Sequence, residues 1–305
     1  MMIDVQGVSK TYGSNQALDN LQFQINEGNC YGLVGPNGAG KSTFMKILVG
    51  VLQRFDGDIQ VFNHSVKENR LGVKSYIGYV PQDICLEELL TAKDNLIYFG
   101  KLYGLSGEHL RKRIKTVLEQ IGLSEKANQK LTEFSGGMKR RLNIGCAILH
   151  EPSLIVLDEP TVGIDPQSRH SIFSLIQELK EAGSTVVYSS HYMEEVEELC
   201  DSVGLIDKGK LVEHGTMKQV LNKHRSASIF VSAEGISEEE LSSHGVTIKK
   251  KTGFTVNCDD PLLTMENMIE QFRNKGIHPE RLELSQSRLE DIFFNLTGTQ
   301  LRDNG

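Results

Sequence analysis

The chain has no apolar run approaching the roughly 20 residues needed to cross a bilayer as a helix. Runs such as 154–157 are far shorter. Any membrane association is therefore expected to come through a partner. Cysteine is sparse: Cys30, Cys85, Cys146, Cys200 and Cys258 are widely scattered and odd in number. That spacing fits neither a disulfide framework nor a metal cluster, and the mostly apolar surroundings suit buried thiols in a reducing compartment. Positive charge is in deficit, with 33 Lys and Arg against 40 Asp and Glu, a net charge of -7. Overall electrostatics thus do not favour a nucleic-acid partner. The start lacks the basic region and apolar segment of a secretory leader and enters a strand pattern at Ile3-Asp4-Val5, so a cytoplasmic location is expected.

At 305 residues the expected organisation is one domain of about 220 residues followed by a smaller one. Strand alternation covers 3–8 and 18–25, separated by a turn at Tyr12-Gly13-Ser14-Asn15. An apolar strand at 31–34 feeds a glycine-rich loop and a helix over 41–49. Asp56-Gly57-Asp58 reads as a turn into a strand at 59–62, and a strand at 76–80 ends at Pro81-Gln82. Between 87 and 122 the period becomes helical, through Leu89, Leu96, Phe99 and Leu102, then Leu110, Ile114, Leu118 and Ile121. This predicts a helical insertion, with ordinary crossover helices of the sheet as the competing reading. Strands at 154–157, 185–189 and 203–206 alternate with helices at 167–181 and 193–199, which favours a largely parallel sheet covered on both faces. Beyond 218–224 the pattern changes to βαββαβ with an added helix over 287–296, consistent with a small ferredoxin-like α+β domain. The expected domains are 1–224, with the helical insertion at about 87–150, and 225–305.

The chemistry begins with Gly35-Pro36-Asn37-Gly38-Ala39-Gly40-Lys41-Ser42-Thr43 directly after the 31–34 strand. Glycines allow successive backbone N–H groups to face phosphate oxygens, Lys41 offers a mobile point charge, and Ser42 offers a hydroxyl to Mg²⁺. The N-terminus of the following helix adds its own attraction for the anion. A second element, Leu154-Ile155-Val156-Leu157-Asp158-Glu159-Pro160, is an apolar strand ending in two carboxylates, where ligands of parallel sheets bind. Asp158 suits Mg²⁺, held directly or through water, whereas Glu159 suits orienting and partly deprotonating an attacking water. Taken alone, the carboxylate pair could equally cap a helix or face solvent in a turn.

With Phe134-Ser135-Gly136-Gly137-Met138-Lys139-Arg140-Arg141-Leu142 added, the chain resembles the ATP-binding subunits of ABC transporters, in particular the drug, antibiotic and bacteriocin exporter subgroup. Taken alone, Ser135 before a basic helix over 138–149 is an ordinary helix start. The resemblance implies instead that Ser135 and the amides of Gly136 and Gly137 cap the γ-phosphate of ATP bound by the opposite subunit. It further implies that Tyr12 stacks on adenine, that Gln82 reaches the metal and the attacking water, that Asp165 in Gly163-Ile164-Asp165 crosses the dimer interface, and that His191 contacts the γ-phosphate. By residue type alone, Tyr12 in a turn and His191 at a strand end read as structural. Phe134 in place of the usual leucine is a volume change expected to be absorbed by packing. Met138 replaces the commoner glutamine, as is frequent in that subgroup. The segment 287–298 resembles the subgroup's closing helix.

The resemblance implies ATP and Mg²⁺ as cofactors and a dimer of nucleotide-binding subunits, expected to be identical copies. It also implies a separately encoded integral-membrane permease that would hold the subunit on the inner face of the cell membrane and carry the cargo, a drug, antibiotic or peptide. The alternative is a soluble ABC ATPase acting on a ribosomal, DNA or regulatory partner. Such relatives usually carry tandem nucleotide domains or long coiled-coil insertions, and this chain has one set of motifs and no heptad tract.

Overall fold

The computed structural model describes residues 2–224, 228–250, 252–258, 260–285 and 288–298. The chain divides into two compact units with the boundary between Met217 and Lys218. Residues 225–227, at the junction expected from sequence, and Ser287, at the start of the expected closing helix, lie outside the described residues.

The first unit is built on a six-stranded sheet in the order Lys210–Thr216, Ser202–Asp207, Cys30–Val34, Thr185–Ser190, Leu154–Asp158, Ile77–Val80. All neighbours are parallel except the first pair, which is an antiparallel hairpin. Every residue of Cys30–Val34, Leu154–Asp158 and Thr185–Ser190 is buried, the reason those strands read as continuous runs without polar alternation. Parallel alignment puts the phosphate loop, Asp158-Glu159, His191 and Gln82 at the carboxyl ends of four adjacent strands. A long-range pattern in the sheet thus assembles residues that are more than 100 positions apart.

A second sheet, antiparallel in the order Asn15–Ile25, Ile3–Tyr12, Asp56–Val61, His64–Ser65, shares one hydrophobic core with the first. Helix Lys41–Leu48 contributes Phe44, Met45, Ile47 and Leu48 to that core. Phe23 of the antiparallel sheet stacks on Tyr31 of the parallel sheet at 5.3 Å and meets Phe44 at 5.4 Å. Such aromatic pairs add about 0.5–1.5 kcal/mol beyond their buried area and fix the sheets against the helix that carries Lys41. Asp56-Gly57-Asp58 is strand, correcting the turn expected there. Gly57 adopts φ 77° against the backbone of Gly7, where a Cβ would sit 2.3 Å from the Gly7 carbonyl oxygen, so a glycine within the strand looked like a turn signal.

Three helices, Ala92–Leu102, Gly107–Gln120 and Gly136–Ile148, occupy the segment between Ile77–Val80 and Leu154–Asp158, the last two strands in the spatial order of the six-stranded sheet. A capping box between Thr91 and Asp94 starts the first. Buried Asn95 accepts from the Glu87 N–H and donates to the Glu87 and Thr91 carbonyls, pinning the preceding loop. Arg113 donates to the carbonyls of Ile148 and Leu149, satisfying the C-terminus of Gly136–Ile148. That last helix starts two residues earlier than the 138–149 expected, because Ser135 accepts from the Met138 N–H as its N-cap. Phe134 is buried, so the larger ring is accommodated in packing.

The second unit carries Ser228–Ser232, Glu238–Ser242, Val246–Lys250, Gly253–Asn257, Pro261–Lys275, Arg281–Ser285 and Leu289–Thr297. Its four strands form one antiparallel sheet in the order Val246–Lys250, Gly253–Asn257, Ser228–Ser232, Arg281–Ser285. The two outer strands are therefore the second and fourth in sequence, the ferredoxin-like arrangement. Its own core contains Ile229, Val231, Leu241, Val256, Met268 and Phe272. Of the cysteines, Cys30, Cys146 and Cys200 are buried, as expected of most of them, whereas Cys85 is exposed and Cys258 half-buried.

Candidate functional site

At the carboxyl edge of the parallel sheet lies a cavity of about 810 Å³ whose walls include Tyr12, Gly38, Lys41, Gln82, Glu159 and His191. Six residues predicted from sequence, spread over 180 positions, thus face one space. Gly40 stands at φ 111°, and a Cβ there would lie 2.5 Å from the Ala17 carbonyl oxygen, so only glycine lets the phosphate loop turn into its helix. Gly35 is packed as closely, with a Cβ position 2.0 Å from the Ile206 carbonyl oxygen. Pro36 and Ala39 shape the same loop through the turn bond from the Ala39 N–H to the Pro36 carbonyl. Asn37, Ser42 and Thr43 also line the cavity.

Lys41 is buried, and its Nζ donates to the carbonyls of Gly35 at 2.7 Å and Pro36 at 3.1 Å. It also pairs with Glu159 Oε1 at 3.1 Å. Burial pushes the Lys41 amine below its ordinary range, an effect opposed by the Glu159 and Asp158 carboxylates. Glu159 Oε2 lies 3.2 Å from His191 Nδ1, so one carboxylate bridges the phosphate-loop lysine and the strand-end histidine. Glu159 also has φ 46°, left-handed backbone uncommon for a residue with a side chain and a form of strain that collects at functional sites. The bond from its N–H to Ser189 Oγ holds that turn.

Asp158 Oδ1 accepts from both Ser42 Oγ at 3.1 Å and Ser189 Oγ at 2.7 Å. Burial raises its carboxyl above the usual range, the two hydroxyls opposing the shift. A buried carboxylate joined to Ser42 is an oxygen ligand set suited to a hard cation. Among the described residues no group of three His, Cys, Asp or Glu forms a protein-only metal cage.

Tyr12 is 46% exposed, with Lys10 Nζ 4.7 Å from its ring centre. The polypeptide around Gln82 is tied down by buried Arg140, which donates to the carbonyls of Pro81 at 2.8 Å and Gln82. Arg140 was not singled out from sequence, since one arginine in a basic helix carries no distinguishing signal. Ser189 was likewise missed, because its bond to Asp158 follows from the register of two neighbouring strands, which no local pattern shows.

Ser135, Gly136, Gly137 and Asp165 are not among the residues lining the cavity. They form a second cluster: Asp165 caps helix Pro166–Glu181 by accepting from the Ser168 N–H at 2.9 Å, and a Cβ on Gly137 would lie 2.0 Å from Ser168 Oγ. The Ser168 backbone bond holds the Asp165 carboxyl below its ordinary range. Two helix N-termini therefore stand side by side, with Ser135, Gly136 and Asp165 exposed.

Residues 18–162 match the family model described as ABC transporter. The chain is 39% identical to the linearmycin resistance ATP-binding protein of Bacillus subtilis, over 99% of this chain and 100% of that one. It is 35% identical to the Nod factor export ATP-binding protein I of Sinorhizobium fredii, over 99% and 87%, and 31% identical to a daunorubicin resistance ATP-binding protein of Streptomyces coeruleorubidus, over 98% and 97%. Among solved structures, an ATP-binding subunit of an ABC transporter superposes with TM-score 0.67 at 29% identity, covering 73% of this chain and 93% of that one. A dimeric ATP-binding cassette in a post-hydrolysis state, bound to ADP and Pi, superposes with TM-score 0.65 at 29% identity, over 71% and 99%. With the phosphate loop, the paired carboxylates and the strand-end histidine facing one cavity, the chain belongs to the ABC transporter family, as one of its ATP-binding, ATP-hydrolysing proteins.

Proposed function

We propose that two identical copies of this chain bind two ATP molecules between them and drive a separate integral-membrane permease that exports a drug, antibiotic or peptide. The observation that carries the dimer is the separation of the two clusters: one chain brings Lys41, Glu159 and His191 to its cavity but leaves Ser135 and Asp165 exposed elsewhere. A second copy supplies the missing wall. In this reading the permease holds the chain on the inner face of the membrane; no helix among the described residues is itself long and apolar enough to cross one. The exporter assignment draws on relatives named for antibiotic resistance and export.

In this reading the phosphate-loop amides and Lys41 bind the phosphates, and Tyr12 offers its exposed ring to adenine. Ser42, Asp158 and Gln82 would hold Mg²⁺, which supplies charge neutralisation on the phosphates when bound. Glu159 orients the attacking water and takes up its proton, while His191, fixed by Glu159, contacts the terminal phosphate. The test pairs phosphate release by the purified chain with its capture from detergent-solubilised membranes. Magnesium-dependent hydrolysis that disappears in Lys41→Ala, together with a co-purifying multispanning protein, is expected. Hydrolysis with recovery only in ribosomal or nucleic-acid fractions would overturn the exporter assignment.

A further inference from the structure

Behind the His191 loop, and outside the residues so far given a role, a buried carboxylate gathers an unusual number of hydroxyls. Glu195, 3% exposed on helix Met193–Leu199, accepts on its single Oε2 atom from Tyr188 OH at 2.7 Å, Thr161 Oγ1 at 2.8 Å and Ser190 Oγ at 3.0 Å. Thr161 Oγ1 and Tyr188 OH are also 3.1 Å apart. The other oxygen, Oε1, has no hydrogen-bond partner among the described residues and faces Arg169 Nη1 at 3.6 Å.

The donors come from the segments that carry the chemistry. Thr161 lies two residues after Glu159, Ser190 immediately precedes His191 and accepts from the Tyr192 N–H at 2.9 Å, and Arg169 lies in the first turn of the helix capped by Asp165. Three hydroxyls converging on one carboxylate oxygen bind it firmly in place, since hydrogen bonds to carboxylates are among the stronger ones in proteins. Strand pairing aligns Asp158 with Ser189, but the pairing of those two strands ends there, and Thr161, Ser190 and the helix of Arg169 lie beyond it. The Glu195 carboxylate, addressed by all three, extends the tie past that pairing.

We infer that Glu195 is a positioning residue for ATP hydrolysis, fixing the loop after Glu159 and the loop of His191 in the relation the reaction needs and linking both to the Asp165 helix through Arg169. Glu195 does not touch the nucleotide cavity, so its effect falls on turnover instead of binding. The inference rests on the ATPase reading.

The test compares turnover and ATP affinity of the full-length chain carrying Glu195→Ala, Glu195→Gln or Thr161→Val, affinity being measured in a Glu159→Gln background. Glu195→Ala is expected to lower kcat at least about 10-fold, with ATP affinity within about threefold of its reference, as removal of a transition-state-specific arrangement requires. Glu195→Gln, which still offers an oxygen, should recover at least threefold over Glu195→Ala. Should Glu195→Ala not fold, the near-isosteric pair Thr161→Val and Glu195→Gln decides. Their combined effect on kcat should be no greater than the larger single effect, since both break one cluster. Effects that simply multiply, a kcat for Glu195→Ala within twofold of wild type, or a fall in affinity that accounts for the fall in kcat would each overturn the inference while leaving the ATPase reading intact. Absence of hydrolysis in the wild type would overturn both.

Discussion

Replacing Glu159 by Gln should separate binding from turnover in a way that the Lys41 contact makes quantitative. The substitution keeps shape and removes the charge that faces Lys41 at 3.1 Å. At an effective dielectric of 20, two unit charges at that distance attract by about 5 kcal/mol. Much of this is cancelled by the cost of keeping both side chains out of water, and both are more than nine-tenths buried. A net coupling of about 1–2 kcal/mol remains, near the low end measured for close charge pairs, and a phosphate engaging Lys41 must share or displace it. Without the Glu159 charge, the amine keeps the Gly35 and Pro36 carbonyls and offers its charge to phosphate without that competitor. Glu159→Gln is therefore expected to bind ATP about 5–30-fold more tightly than wild type. Its kcat is expected to fall at least about 100-fold through loss of the general base. Titration with a fluorescent ATP analogue and steady-state phosphate release measure the two quantities. Unchanged or weaker binding would refute the competition argument, and wild-type turnover would refute the role of the carboxylate.

Lys41→Ala should weaken nucleotide binding by about 10–100-fold, the equivalent of one charge-assisted contact to phosphate, and the same titration measures it. Asp158→Asn should reduce magnesium-dependent turnover at least about 100-fold, read by phosphate release. Burial raises the Asp158 carboxyl, so the stability this group contributes is present below the ordinary carboxylate range and is lost as pH rises through its raised folded-state value. The variant should accordingly lose that segment of the pH dependence of thermal unfolding and melt no lower than wild type at neutral pH. Ser135→Arg and Lys41→Ala each damage both sites of a homodimer, whereas a mixed dimer assembles one intact site. ATP-dependent closure in the mixture, followed by sedimentation, should exceed that of either variant alone, and no gain with the heterodimer confirmed would count against capping in trans.

The parts of the first unit that the sequence made legible are those whose physics leaves a local trace. Leu154–Asp158 is buried throughout, so its run of four apolar residues read as a strand, whereas the two carboxylates that follow took their role only from the phosphate loop elsewhere in the sequence. Strand Lys210–Thr216 escaped notice because it is the sheet edge, where Lys210, Glu213 and His214 replace the apolar face that a periodicity argument needs. The same holds for His64–Ser65, whose two residues are too few for any period. Residues predicted from the family motif reached the cavity where a strand end delivers them, as with His191 and Gln82. The Ser189 and Glu195 contacts were not legible, because they depend on register between strands and on a helix returning over the sheet. No pattern within either segment encodes that return.

The exposed pair of helix N-termini carries the strongest physical argument for a partner. Each N-terminus bears roughly half a positive charge from its unpaired N–H groups. Gly137 allows Gly136–Ile148 and Pro166–Glu181 to begin within van der Waals reach of each other, since any side chain there would collide with Ser168. Together they amount to about one positive charge, which the Asp165 carboxylate, held below its ordinary range by the Ser168 N–H, balances in the isolated chain, while Ser135 and Gly136 at the start of Gly136–Ile148 stay exposed. The walls of the cavity that holds Lys41 do not include Ser135 or Asp165. If, as proposed, these residues meet the triphosphate of a second copy, Ser135→Arg, adding bulk and charge at the exposed cap, should abolish closure of the homodimer while leaving ATP affinity of the isolated chain within about twofold of wild type in the fluorescence titration. Loss of affinity in dilute, monomeric protein would place Ser135 in the chain's own site and remove the need for a partner.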